Sequence, residues 1–423
     1  MTRAEPTAAA VHAEVDEWVR RNWDPDDTVE AWWDRLARAG YAAPMLPPPY
    51  GRGWSRDLAA LVTAALVERG ALGPPAGLGL VLAAPTIVAH GTDEQKERFV
   101  WRILNGQDAW CQLFSEPGAG SDLASLQTRA VRDGDEWVVT GQKVWTSTGQ
   151  HADWGMLLAR TNPDAPKHQG ITYFAFPMRQ PGVDVRPLRE MTGRALFNEV
   201  FLDGARVAHA DVIGGVDNGW AVANTTLAVE RASIGSGGAS AFSAAIPGSI
   251  AGHLAQRAGD FAGRSAPGGE GRVGAGTVRR LIALARDRGR AEEPAVRQAL
   301  VRLWTLTELN RLSVLRAKAG GNRTGGEGNI AKLLMSETIR RAREAGNLVL
   351  GAHAMVVGPD TPGGGMVQEL TVFSPAPSIY GGTDQVQRNI LGERVLGLPK
   401  EPGPAKTTPF RDLLVGTQPP PSR

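Results

Sequence analysis

A chain of 423 residues is longer than one hydrophobic core supports, so two or three domains are expected. Its 46 basic and 44 acidic side chains nearly cancel, which argues against a nucleic-acid groove or a membrane-surface patch and points to a small-molecule partner. The single cysteine, Cys111, excludes an intramolecular disulfide and a multi-cysteine metal site, and fits a reducing, cytoplasmic setting. Met1 to Val15 mixes Arg3, Glu5, His12 and Glu14 into its alanines, so a secretory signal core is not expected. The seven histidines show no metal-ligand spacing with carboxylates, so no metal is expected.

From Val11 to about Gly106 the apolar positions recur at helical spacing, as in Val15/Trp18/Val19, Trp32/Leu36/Ala39 and Leu58/Leu61/Val62/Ala65. The apolar stretch Gly73 to His90 is broken by Pro74, Pro75 and Pro85, and reads as helix and turn in a soluble core rather than a membrane span. Thr92 with Gln95 forms a capping box that starts a helix at Asp93. Short β-type runs then follow at Glu136–Thr140, Met156–Ala159, Thr172–Phe176 and Glu199–Leu202, separated by turn formers such as Asp133-Gly134 and Asp203-Gly204. Helical periodicity returns through Trp220 to Glu230, Val278 to Arg288, Pro294 to Ala319 and Asn329 to Ala352. Ser233 to Gly276, rich in Gly, Ser and Ala, reads as an extended insertion. Glu401 to Arg423, with six prolines, reads as a mobile or surface-draped tail. The expected architecture is α+β: an N-terminal helical domain (1–112), a central β-domain (113–216), a C-terminal helical domain (217–400) and the Pro-rich tail (401–423).

Three segments carry the functional signal: Cys111-Gln112-Leu113-Phe114-Ser115-Glu116-Pro117-Gly118-Ala119-Gly120-Ser121-Asp122, then Trp145-Thr146-Ser147, then Tyr380 to Pro399. Alone, the first is a turn, the second core strand, and the third a Gly-Gly turn with Thr383 as N-cap. In this order, from about Gly91 to Pro399, they resemble the acyl-CoA dehydrogenase family. That resemblance implies a central β-barrel-like domain, a C-terminal four-helix bundle, FAD as cofactor, an acyl-CoA substrate and a place in lipid metabolism. It also implies an electron-transferring flavoprotein as electron acceptor and a homo-oligomer, dimer or tetramer. The chemistry agrees, because no side chain accepts a hydride and a cofactor must. The nicotinamide fingerprint of strand, Gly-x-Gly-x-x-Gly and helix is not found in that context.

By the resemblance, Gln112, Phe114, Ser115, Gly120 and Ser121 lie on the strand and loop that contact the flavin ring, with Ser121 also near the pantetheine arm of the substrate. Trp145 lies against the dimethylbenzene edge, and Thr146 and Ser147 follow it, Ser147 near flavin N5. Tyr380 and Gly381 belong to the substrate site, and Thr383 and Gln385 to the sugar and adenine part of FAD. Asp122 reads as a turn or capping residue rather than a base. Where the commonest pattern has the catalytic Glu, this chain has Gly381, which keeps only a main-chain N–H to polarise the thioester carbonyl. The implied base is Glu230, as in the isovaleryl- and long-chain-type members that carry it on the mid-chain helix. Arg286 stands one position late for the family's pyrophosphate Arg, and Gly351 marks a thinned glycine motif near the adenine end. A chiefly structural subunit of a hetero-oligomer and an acyl-CoA oxidase remain as alternatives.

Overall fold

The computed structural model describes residues 6–235, 244–264, 275–320, 325–358, 360–400, 403 and 406–413. Helices come first: α1 (Ala8–Asn22), α2 (Val29–Arg38), α3 (Arg56–Glu68), a π-helical turn over Gly79–Ala83 that runs into α4 (Ala84–His90), and α5 (Asp93–Leu104). Threonines 7, 28 and 92 cap α1, α2 and α5, and the expected capping box of Thr92 and Gln95 is present. Trp32 and Trp33 are fully buried between these helices. Their indole N–H groups donate to the carbonyls of Leu72 at 2.7 Å and Gly73 at 2.8 Å, so burying them leaves no donor unpaired.

The chain then becomes a sheet of β1 (Trp110–Leu113), β2 (Arg129–Asp133), β3 (Glu136–Ser147), β4 (Trp154–Arg160), β5 (Ile171–Pro177), β6 (Val183–Leu188), β7 (Phe197–Ala208) and β8 (Val212–Ile213). The strand order is β6-β7-β3-β2-β4-β5-β8, with β1 added in parallel to β4. Only the pair Arg129 and Arg160 joins β2 to β4, so the sheet bends there and its two halves enclose a core that includes Cys111, Leu113, Trp137, Phe174 and Val200. The four β-type runs became β3, β4, β5 and β7. Strands β2 and β6 were not anticipated, because RAVRD and VDVRPL carry charges and a proline and lie on largely exposed sheet.

Helices α6 (Gly219–Gly235), α7 (Ala275–Asp287), α8 (Pro294–Lys318), α9 (Glu327–Leu350), α10 (Met366–Phe373) and α11 (Asp384–Ile390) complete the fold. Helix α9 is central, packed by α6, α7, α8, α10 and α11. Helix α6 is the seam of the molecule, touching β5, the π-helical turn, α4 and α9. Its start is pressed onto the sheet: a Cβ on Gly219 would stand 2.5 Å from the Thr172 main chain.

The expected insertion is in part built structure. Helix α6 continues into it, and residues 244–264 dock on the N-terminal helices, with Val29 and Glu30 donating main-chain hydrogen bonds to Gln256 and Leu254. Of the tail, Phe410 is buried and lies under the Arg160 guanidinium at 3.6 Å, and Arg411 pairs with Asp164 at 2.7 Å. That stretch packs on Arg160 of β4 and on residues 163–166 after it; residues 236–243, 265–274, 401–402, 404–405 and 414–423 lie outside the described residues. Among the described residues no helix is long and apolar enough to cross a membrane.

Candidate active site

The loop after β1 is fixed by a buried ion pair. Lys143 on β3 donates to Glu116 at 2.9 Å and to the Phe114 carbonyl at 3.1 Å. Glu116 also accepts from the main-chain N–H groups of Gln127 at 2.6 Å and Thr128 at 2.9 Å. Burial pushes the Glu116 carboxyl up, but Lys143 and these donors outweigh it and hold the group below the usual carboxylate range. Burial pushes the Lys143 ammonium down, and Glu116 opposes that. The Val144 N–H completes the clamp by donating to the Ser115 carbonyl at 2.9 Å. Phe114 and Ser115 are thereby held beside the segment that continues into Trp145. Beyond the clamp, Gly118, Gly120 and Ser121 are exposed, and a Cβ on either glycine would meet nothing within 4 Å.

Strand β3 is irregular where it reaches Trp145. Its register on β7 slips between Lys143 and Thr146, and Trp145 takes φ 61°. A bulky residue in the left-handed region is strained, and such outliers collect at ligand sites. The indole is 61% exposed, with its edge contact to Phe197 at 5.9 Å. Thr146 is fully buried, yet its hydroxyl has no hydrogen-bond partner. Ser147 follows at intermediate exposure.

Strand β1 faces two ways. Cys111 and Leu113 enter the sheet core, while Trp110 and Phe114 enter the helical core that also holds Val222 and Ala223 of α6. Gln112 shares the second face at intermediate exposure, and its amide is one of the influences on the Glu230 carboxyl of α6. Glu230 keeps some exposed surface. Burial is the leading influence and raises its pKa above the usual value, opposed by Gln112 and by Arg231. One turn earlier, the hydroxyls of Thr226 and Thr86 meet at 2.9 Å, which pins α6 to α4.

At the other end of the chain, Tyr380 contacts Phe373 at 6.5 Å and leads into Gly381 and Gly382, whose φ angles are 64° and 80°. Both require glycine-like freedom, so the left-handed backbone at Gly381 suits the residue found there and strains a side chain. Gln387 donates to the Gly381 carbonyl at 2.9 Å and accepts from Asn329 of α9 at 2.5 Å, tying the turn to the bundle. Thr383 caps α11, with the Val386 N–H donating to its hydroxyl at 3.2 Å, and Gln385 is exposed. Asp384 receives Lys332 at 3.0 Å and Arg340 at 2.9 Å.

Strand β1 and helix α6 thus border one helical core, and Phe114 and Ser115 are held beside the approach to Trp145. Arg286 and Gly351 stand apart, at the α7–α9 end of the bundle. Arg286 is exposed, and a Cβ on Gly351 would lie 3.1 Å from Arg290. Asp122 stands at the N-cap of a 3-10 turn, pairs with Lys167 at 2.7 Å and accepts from the Ser125 hydroxyl at 2.5 Å. Sequence reasoning did not give Lys143, Asn329, Gln387 or the Asp384 cluster any role. The sequence around the first, GQKVWTS, mixes polar and apolar residues and gave no clear signal.

The residues present fit FAD. Open main chain at Gly118 and Gly120, an exposed strained indole at Trp145 and an unsatisfied buried hydroxyl at Thr146 are features that a stacked, hydrogen-bonding ring would use. Gln112, Phe114, Ser115, Trp145, Thr146 and Ser147 are the residues that would hold it.

Family models match in chain order: the acyl-CoA dehydrogenase N-terminal domain over residues 4–107, the middle domain over 111–204 and the C-terminal domain over 269–396. The chain is 41% identical to the acyl-CoA dehydrogenase FadE34 of Mycobacterium tuberculosis, over 86% of this chain but 46% of that protein, so it spans about half the length of that relative. It is 38% identical to the acyl-CoA dehydrogenase IpdE1 of the same organism, over 88% of each chain. Among solved structures, the Tcur3481–Tcur3483 steroid ACAD matches at 27% identity and TM-score 0.70, covering 95% of this chain and 100% of that one. The ChsE4–ChsE5 complex of Mycobacterium tuberculosis matches at 27% identity and TM-score 0.65, with the same coverage of 95% and 100%. With all three domain models in place and relatives this similar, the chain belongs to the acyl-CoA dehydrogenase family of FAD-dependent oxidoreductases.

Proposed function

We propose that the chain removes two hydrogens from the α and β carbons of an acyl-CoA thioester to give the 2-enoyl-CoA, with Glu230 as the base for the α-proton. The observation that carries this reading is reciprocal. At the position of the usual Glu the C-terminal turn offers only the Gly381 main chain, while α6 carries a carboxyl whose pKa burial raises. A base is most effective when its pKa approaches the operating pH, and a carboxyl shielded from water moves that way. In this reading the Gly381 N–H polarises the thioester carbonyl, and Tyr380 and Ser121 line the path of the pantetheine arm. FAD, when bound, supplies the acceptor for the β-hydride, and an electron-transferring flavoprotein is the expected onward acceptor. Only the carboxylate form accepts a proton, so the rate rises as pH climbs through the raised value.

The test is anaerobic bleaching of the flavin by a panel of acyl-CoAs, on wild type and Glu230→Gln. Bleaching in the first and none in the second is expected, and equal bleaching removes Glu230 from the mechanism. Because one solved relative is titled a steroid ACAD, ring-bearing acyl groups go first in the panel, before straight and branched chains.

Assembly is part of the proposal. Arg286 is exposed, and α8 carries an exposed apolar stripe of Val301, Trp304, Leu312 and Leu315. Both favour burial against another chain of this fold, a second copy in the first instance. The two-chain names of the solved relatives favour, as a second reading, a hetero-oligomer with this chain as one half. Purifying the chain alone and recording its mass and visible spectrum separates the two: a yellow homo-oligomer supports the first, a colourless or monomeric protein the second.

A further inference from the structure

The chain takes two left-handed residues within four positions at the end of β3, Trp145 at φ 61° and Thr148 at φ 54°. Neither is glycine, and such backbone persists only where its surroundings hold it. Opposite stands Asn198 of β7, which pairs in register with Thr146 and is fully buried. An amide inside a strand is a poor β former, and burying it costs free energy unless it is hydrogen-bonded. Its Nδ2 donates to the main-chain carbonyl of Thr146 at 3.0 Å and to Oε1 of Gln150 at 2.6 Å. We propose that Asn198 is the positioning residue for the flavin-facing end of β3: bonded to Thr146 between the two left-handed residues and to Gln150 beyond them, it holds Trp145 and Ser147 in the geometry that FAD meets. This rests on the assignment of Trp145 and Ser147 to the flavin site, and is independent of the reading of Glu230 as the base.

The contacts make the assignment specific. A carbonyl oxygen only accepts, so the Asn198 amide must present its nitrogen to Thr146, and Gln150 then accepts through Oε1. The Asn198 Oδ1 has no hydrogen-bond partner, so the residue acts here only as a donor. Successive residues of β7 grip opposite sides of the bulge. Phe197, paired with Ser147, meets the Trp145 indole edge-on at 5.9 Å, while Asn198 takes the main chain from the buried side. Just before them, the Leu196 carbonyl accepts from the Thr148 N–H at 3.0 Å. The turn closes tightly over the amide: a Cβ on Gly149 would stand 2.9 Å from the Thr146 methyl and 3.4 Å from Asn198 Nδ2. Lys143 thus fixes β3 on the near side of Trp145, and Asn198 fixes it on the far side.

The test is titration of the full-length apoprotein with FAD, followed by flavin absorbance, in a double-variant cycle of Asn198→Leu and Trp145→Gly. Asn198→Leu keeps the side-chain bulk and removes the donor, and should weaken FAD binding about tenfold. Glycine adopts positive φ without strain and needs no hold. In the Trp145→Gly background, itself weaker than wild type, the further loss from Asn198→Leu should therefore shrink to about twofold or less. A general loss of stability would instead lower affinity by the same factor in both backgrounds. An affinity unchanged in Asn198→Leu, or a loss of equal size in both backgrounds, overturns the proposal and leaves Trp145 in the flavin site. A Trp145→Gly protein that binds FAD as wild type does overturns the site assignment and this proposal with it. If Asn198→Leu does not fold, Gln150→Ala takes its place in the same cycle: it removes one arm of the clamp from a half-buried position. The expected loss is then about threefold, with the same overturning outcomes.

Discussion

Two main-chain segments border the candidate site, and each is fastened by buried charge of a different design. The Phe114–Ser115 segment hangs on one acid and one base, Glu116 and Lys143, both buried. The Tyr380–Gly382 turn leans on α11, where one acid, Asp384, takes two cations, Lys332 and Arg340, with Arg340 partly exposed. The first design has no spare part: losing either partner strands a charge away from water. The second is redundant, since Asp384 keeps a cation when one is lost. We read the difference as rigidity where the flavin ring would rest and tolerance where the chain must adopt consecutive left-handed residues.

The strongest way to break that comparison is Lys143→Met. It leaves Glu116 buried and unpaired, and should cost about 3–5 kcal/mol in denaturant unfolding. The double variant Glu116→Gln/Lys143→Met should recover part of the loss, because no bare charge remains. Lys332→Met should cost less, on the order of 1–2 kcal/mol, because Arg340 stays on Asp384. Equal losses in the two lysine variants would remove the claimed asymmetry.

Acid sharpens the same contrast. Burial raises the Asp384 pKa, but Arg340 and Lys332 outweigh it and hold the group at about 2. Its folded pKa is depressed, so the stability it contributes is complete above about pH 4 and fades as pH falls toward about 2. Hydrogen exchange on α11 amides should accelerate across that window. Lys332→Met should narrow the window by raising its lower edge.

Smaller effects test the backbone. Gly381→Ala places a Cβ at φ 64° and should cost about 1–2 kcal/mol. Trp145→Gly removes a strained, exposed side chain, and should change stability by about 1 kcal/mol or less while lowering FAD affinity. A Trp145→Gly protein that binds FAD as wild type does would take the indole out of the cofactor site.

Much of the scaffold was legible because it is written in local chemistry. The Thr92–Gln95 box fixed the start of α5, and the spacing from Pro294 to Ala319 and from Asn329 to Ala352 gave α8 and α9 to within two residues at each end. Strands β2 and β6 were not legible: RAVRD shows no apolar alternation, and in VDVRPL the short alternation of Val183 and Val185 with Asp184 and Arg186 is broken by Pro187. Residues 244–264 misled for a related reason. Their docking on α2 uses main-chain hydrogen bonds, which composition does not report.

By itself, the sequence determined the family, the order of helical and β segments, and the exchange that leaves Gly381 without a carboxyl and Glu230 as the candidate to supply one. These are questions of which residue stands where. Only the tertiary structure decided that β1 turns Trp110 and Phe114 into the helical core that α6 shares, that Lys143 reaches Glu116, and that Trp145 is held in a strained bulge. The reason is physical: a side chain's direction follows from the pairing of its strand, and the partner of a buried charge from which elements pack across from it, often far along the chain.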